Sequence, residues 1–133
     1  MAIYKNIEIT KEFLDKHPKA YFVFGDNLER KGHGGSAKLR DHPHTFGFIT
    51  KKFSDNNDTS FYRPEEYSPI FFEELAKLKK IVTTHTKKTF YISKLGAGLA
   101  NRYRIWEMLI QHNLTLALEP YDNVVFCWKD SLV

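Results

Sequence analysis

The chain has 133 residues, 42% hydrophobic and 27% charged, with eleven Phe, seven Tyr and two Trp; this is enough apolar surface for one domain with a real core, and too much for a disordered chain. A formal charge of +4 attracts anions, but the cations are scattered in pairs and form no stripe suited to a duplex. One cysteine, Cys127, excludes an internal disulfide and a thiolate metal cluster, and with neither a signal-like apolar stretch nor a run of about 18 apolar residues the chain is expected to be cytoplasmic, monomeric and without membrane contact.

Residues 2–9 read as a short edge strand or lead-in. Thr10 then caps a short helix with Phe13 and Leu14 facing inward, which Pro18 closes. The continuous run Ala20-Tyr-Phe-Val-Phe24 fits a strand buried on both faces. Leu28 to Gly35 is a polar loop with three glycines in its last four positions, and it leads into a short helix over Ser36–Arg40. Thr45–Thr50 reads as a second strand. Lys51 to Arg63, rich in Asn, Asp and Ser, reads as a mobile surface excursion. Ser68-Pro69 is expected to open the clearest helix, since Pro suits a first turn. In that helix Ile70, Phe71, Glu74, Leu75, Leu78 and Val82 recur at spacings of three and four. A strand over Thr89–Ser93, a second glycine loop at Gly96-Ala97-Gly98, a helix from about Asn101 to Leu116 and a last strand at Val124–Trp128 complete the pattern. Strands alternating with amphipathic helices predict an α/β fold, with a mixed, largely parallel sheet and a single domain over residues 1–133.

In open α/β sheets, ligands bind beyond the carboxyl ends of the strands. Segments with unusual residues leave three of the strands here: Gly25-Asp26-Asn27 through Gly32, Gly34 and Gly35; Thr50-Lys51-Lys52; and Gly96-Ala97-Gly98. Glycines let backbone N–H groups approach an anion, and the helix start at Ser36 presents further N–H groups to phosphate. The glycines also fit plain turns. Neither the dinucleotide fingerprint nor the P-loop pattern is present. Asp26 and Asn27 can bond ribose hydroxyls or a base edge, or form an Asx turn. His33, the only histidine inside the glycine loop, is a candidate phosphate contact or acid, or a solvent-facing turn residue. The six histidines show no metal-ligand spacing, so no metal and no cofactor are expected.

The segments Tyr21–Asn27, Gly32–Ala37, Ile49–Lys52 and Ile92–Leu99 through Trp106-Glu107, in this order, resemble the motif set of macrodomains. The nearest branch is that of the small ADP-ribose-glycohydrolase-like macrodomains found in bacteria and bacteriophages. The likeness runs from about Tyr21 to Trp128. It implies a three-layer α/β/α macrodomain-like fold that binds ADP-ribose or an ADP-ribosylated substrate. By the same likeness Asn27 would hold the distal ribose, Gly32, Gly34 and Gly35 would lie beside it, and the amides of Gly96-Ala97-Gly98 would cradle the diphosphate. Lys51 or Lys52 would be the catalytic lysine. The branch places an aspartate after the Gly-Leu pair, where this chain has Ala100 followed by Asn101.

Two hydrolytic routes at the distal ribose follow as expectations: attack by Lys51 or Lys52, or a water oriented by Asn27 and the loop amides with His33 as acid. The second needs no carboxylate at position 100 and is the preferred expectation. A non-catalytic ADP-ribose reader is the alternative. A rival class is a single-stranded nucleic-acid module built on Lys51, Lys52, Phe53, Tyr62, Arg63 and Tyr67. A third is an interaction protein that docks its partner through residues 53–67.

Overall fold

A computed structural model describes residues 1–129; residues 130–133, the end of the predicted domain, lie outside the described residues. The strands are β1 (Ile3–Tyr4), β2 (Ala20–Asn27), β3 (Thr45–Lys51), β4 (Thr89–Ile92) and β5 (Val124–Phe126). The helices are α1 (Lys11–Lys16), α2 (Pro64–Thr84) and α3 (Gln111–Leu118), the last entered through a π-helical turn, Trp106–Ile110. Short 3₁₀ turns occupy Gly35–Leu39 and Asp58–Ser60.

The five strands form one sheet in the order β1-β5-β4-β2-β3, and every ladder is parallel. The expected mixed character is therefore absent among the described residues, apart from one isolated antiparallel bridge between Lys51 and Phe61. The reason lies in the connections. A helix or 3₁₀ turn follows each of the first four strands, and crossovers of that kind return the chain in the same direction. From β2 the chain moves outward to β3, whereas β4 lies on the other side of β2 and is followed by β5. The sheet thus reverses its winding between β2 and β4, and a crevice opens there beyond the strand ends.

Alternation along β2 distributes the core between two faces. Val23, with Phe90, Ile92, Val124 and Phe126, packs under α2, the π-helical turn and α3, whose Phe71, Leu78, Ile110 and Leu114 are fully buried. Phe22 and Phe24 point the other way, onto Leu14 of α1 and onto Ala37 and Leu39 of the 3₁₀ turn. Helical elements therefore cover both faces. As expected, Thr10 caps α1, its hydroxyl accepting from Phe13 N at 3.1 Å, and residues 3–4 form an edge strand.

Several segments differ from the sequence reading. Helix α2 starts at Pro64, and Arg63 N donates to Glu66 Oε1 at 3.2 Å. Pro69 consequently lies inside the helix, one turn past its start, where it cannot donate the i→i−4 bond to Glu65 O. The segment after β3 is not a free excursion: Ser60, Phe61 and Tyr62 are buried, and Lys52 N donates to Ser60 O at 2.9 Å. The π-helical turn starts at Trp106, five residues later than the helix start expected at Asn101, because Arg104 takes a positive φ of 62°. Asn101 caps this start, its Oδ1 accepting from Trp106 N at 3.0 Å.

Strand β3 lies at the sheet edge, and α2 satisfies part of its outer side. Buried Glu74 accepts from Ile49 N at 2.8 Å, and the Tyr67 hydroxyl donates to Ile49 O at 2.5 Å. The ladder to β2 slips one residue just beyond this point, so that Asp26 pairs with Ile49 and Asn27 with Lys51. Such a bulge re-aims the side chains that follow it. Among the described residues no helix is long and apolar enough to cross a membrane.

Candidate ligand-binding cleft

A cleft of about 340 Å³ lies beyond the carboxyl ends of β2, β3 and β4, at the β2/β4 reversal. It brings together most of the residues singled out by sequence: Gly25, Asp26, Asn27, Gly32, Gly34, Gly35, Ser36, Lys51, Gly96 and Gly98 all line it. Ala97 does not, and instead packs against the main core. His33 is also absent from the lining; its ring points outward to Asp41, at 3.0 Å.

The cleft walls are rich in backbone donors. Among the described residues, the amides of Gly32, Gly34, Gly35 and Ser36 donate to no protein acceptor, and neither do those of Gly96, Gly98, Leu99 and Ala100. Helical pairing in the 3₁₀ turn begins only at Ala37 N, which bonds Gly34 O at 3.1 Å. Positive φ values at Gly32 (99°), Gly35 (57°) and Gly96 (76°) set these turns. Gly34 (φ −82°) does not need glycine's conformational range, and an added Cβ there or at Gly98 would meet nothing within 4 Å. The charged side chains lining the cleft are Lys31, Arg40, Lys51 and Lys94 against Asp26 alone, so the site favours an anion.

Asp26 is committed to the protein. Its carboxylate is buried and takes Arg40 Nη2 at 2.7 Å on Oδ1 and Arg30 Nη1 at 2.9 Å on Oδ2. Asn27 N donates to Oδ1 at 2.8 Å. Burial pushes the carboxyl pKa up, but the bonds from Arg40, Arg30 and the Asn27 amide outweigh it and hold the group below its usual range. A Cβ at Gly47, on the neighbouring strand, would collide with this carboxylate. Asn27 forms the Asx turn weighed from sequence: Oδ1 accepts from Glu29 N at 3.0 Å and Nδ2 donates to Lys31 O at 2.8 Å.

The two lysines separate. Lys51 lines the cleft; its Nζ donates to Asp55 O at 2.8 Å and lies 4.7 Å from the centre of the Phe61 ring. Burial lowers its pKa, and nearby Arg102 lowers it further against the opposing pull of Asp55. Lys52 is turned aside to Glu66 at 2.9 Å, over Tyr62. Consecutive side chains leaving an extended strand point to opposite faces, and the slip at Thr50 sets which of the two turns inward. On the second loop, buried Ala100 lines the cleft, while Asn101 is held by Trp106 N and donates to Glu107 Oε1 at 2.8 Å. Tyr62 and Tyr67, offered from sequence as stacking aromatics, are 5% and 0% exposed.

Sequence reasoning missed Arg40, Lys94, Ser54 and Asn56, all of which line the cleft. Their spacing is unremarkable, and only the tertiary fold brings them to the strand ends. It also missed a second recess of about 360 Å³ that shares Gly35, Ser36 and Lys94 with the cleft and is walled by Ile7, Ile9, Phe22 and Cys127. Ser93 also lines this recess, and its Oγ is a buried atom without a hydrogen-bond partner. Burial pushes the Cys127 thiol up to about 12, which makes it an inert wall rather than a nucleophile.

The fold and cleft define a parallel α/β protein with an anion-favouring site at its winding reversal. Residues 4–102 match a family of unknown function, DUF7831, and the chain belongs to that family. No curated protein and no solved structure is significantly similar to it.

Proposed function

We propose that the cleft binds an ADP-ribose-type ligand, as the motif resemblance to macrodomains implies. One observation carries the reading: two glycine loops from adjacent parallel strands line a single cleft, and among the described residues the amides of Gly32, Gly34, Gly35, Ser36, Gly96, Gly98, Leu99 and Ala100 have no protein acceptor, although Ala97 N is taken by Lys94 O. Such an array suits a diphosphate, which accepts several N–H bonds and gains from the surrounding cations. The adenine would occupy the adjoining recess between Ile7, Ile9 and Phe22. Asp26, a candidate from sequence for a base contact, has both carboxylate oxygens engaged. The distal ribose would extend toward Lys51 and Asn27.

Titration calorimetry with ADP-ribose, AMP, NAD and a short RNA tests this assignment. Preferential binding of ADP-ribose is expected. Tighter binding of RNA with a steep salt dependence would overturn it in favour of a nucleic-acid module.

Turnover is a second reading, and the placement of Lys51 favours the lysine route over the water route. Lys51 lines the cleft and its pKa is lowered by burial, which eases the proton loss a nucleophile requires. His33, the candidate acid of the water route, lies outside the lining. The assay pairs ADP-ribose 1″-phosphate, O-acetyl-ADP-ribose and ADP-ribosylated protein or nucleic acid with Lys51→Ala, Lys52→Ala, Asn27→Ala and His33→Ala variants. Loss in Lys51→Ala alone supports the lysine route, and loss only in Asn27→Ala or His33→Ala refutes it. Tight ADP-ribose binding without turnover of any substrate identifies a reader.

A further inference from the structure

Arg40 follows the first glycine loop and the 3₁₀ turn, yet its side chain returns to the beginning of that loop. Its Nε donates to Gly32 O at 2.9 Å and its Nη2 to Lys31 O at 3.1 Å. The same Nη2 pairs with Asp26 Oδ1, and the guanidinium lies 5.2 Å from the centre of the Phe24 ring. The side chain is 13% exposed, against 50% for Arg30, which holds the other Asp26 oxygen. Two consecutive loop carbonyls are thus tied to one largely enclosed cation, and the Lys31 oxygen also accepts from Asn27 Nδ2 at 2.8 Å. In trans peptides the C=O and N–H point in opposite directions, so the amide of cleft-lining Gly32 faces away from these bonds and has no protein acceptor among the described residues. Free carbonyl oxygens on this loop would repel an anion.

We infer that Arg40 is a positioning residue of the cleft. Fixed by Asp26, it masks the carbonyl of Gly32, shares that of Lys31 with Asn27, and holds the glycine loop as an array of amide donors; it does not act chiefly through its own charge on the ligand. This rests on the anion-binding reading of the cleft. Lysine cannot reproduce the function, because donation from Nε and Nη2 in one plane requires the guanidinium fork.

The charge and positioning roles predict opposite outcomes. Arg40→Lys keeps the charge and loses the fork, while Asp26→Asn adds one net positive charge at the cleft and releases the fork. Positioning predicts that both variants lose at least tenfold in affinity for ADP-ribose and for inorganic pyrophosphate, measured by calorimetry on protein whose circular dichroism confirms folding. A charge role predicts that Arg40→Lys binds normally and Asp26→Asn binds more tightly; either result overturns the inference. If Asp26→Asn does not fold, Arg40→Lys decides alone. Should Arg40→Lys also fail to fold, amide spectra of the wild-type protein decide: pyrophosphate must shift the Gly32 resonance, and its constancy despite binding overturns the inference. A wild type that binds neither ligand refutes the binding reading itself, an outcome distinct from normal binding by the variants.

Discussion

Replacing Gly96 by Ala tests how the second glycine loop is built. Gly96 has a φ of 76°, and an added Cβ would lie 2.6 Å from Ile110 Cδ1 and 3.3 Å from Ile105 Cδ1. The left-handed conformation costs an L-residue about 1–2 kcal/mol. Pushing two buried isoleucine ends aside adds about 1–3 kcal/mol as overpacking. The sum is a loss of about 2–5 kcal/mol. Unfolding entropy of about 2.1 cal/mol/K per residue converts this, for 133 residues, into a fall in Tm of about 7–18 °C. Gly98→Ala is the control, since nothing lies within 4 Å of its added Cβ; its stability should stay within about 1 kcal/mol of wild type. Urea denaturation and scanning calorimetry read both values. Gly98→Val should keep that stability yet bind ADP-ribose at least about tenfold more weakly, since one tenfold step is only about 1.4 kcal/mol of lost contact. A Gly96→Ala protein within about 0.5 kcal/mol of wild type, the ordinary range for a surface change, would refute the account of this loop.

Tyr67→Phe removes the donor to Ile49 O at the edge of β3 and leaves a buried carbonyl unpaired; urea midpoints should show a loss of about 1–3 kcal/mol. The half-buried Lys51 gives a signed pH effect. Its folded pKa lies below the usual 10.5, so the unfolded chain binds more protons between the two values, and this group's contribution to stability rises with pH through that window. Subtracting Lys51→Met urea midpoints from those of wild type between pH 8 and about 10.5, the reference lysine value, should isolate that rise, and a flat or falling difference would contradict the burial of the amine.

The sequence alone determined the alternation of strands and helices, because local periodicity and caps such as Thr10 act over a few residues. It also located both glycine loops, since residues at strand ends in an α/β chain converge on one side of the sheet. Even Glu74 could be read as inward-facing from its spacing with Phe71 and Leu78. Only the tertiary structure decided that Lys51 rather than Lys52 lines the cleft, because a one-residue slip between β2 and β3 sets which side chain turns inward. It likewise decided that Ser60, Phe61 and Tyr62 are buried in a segment whose composition reads as exposed. The fate of Asp26 was equally non-local: two arginines, four and fourteen positions along the chain, engage both oxygens of its carboxylate. Pairing of that kind depends on where the fold returns the chain, and no local pattern of residues encodes it.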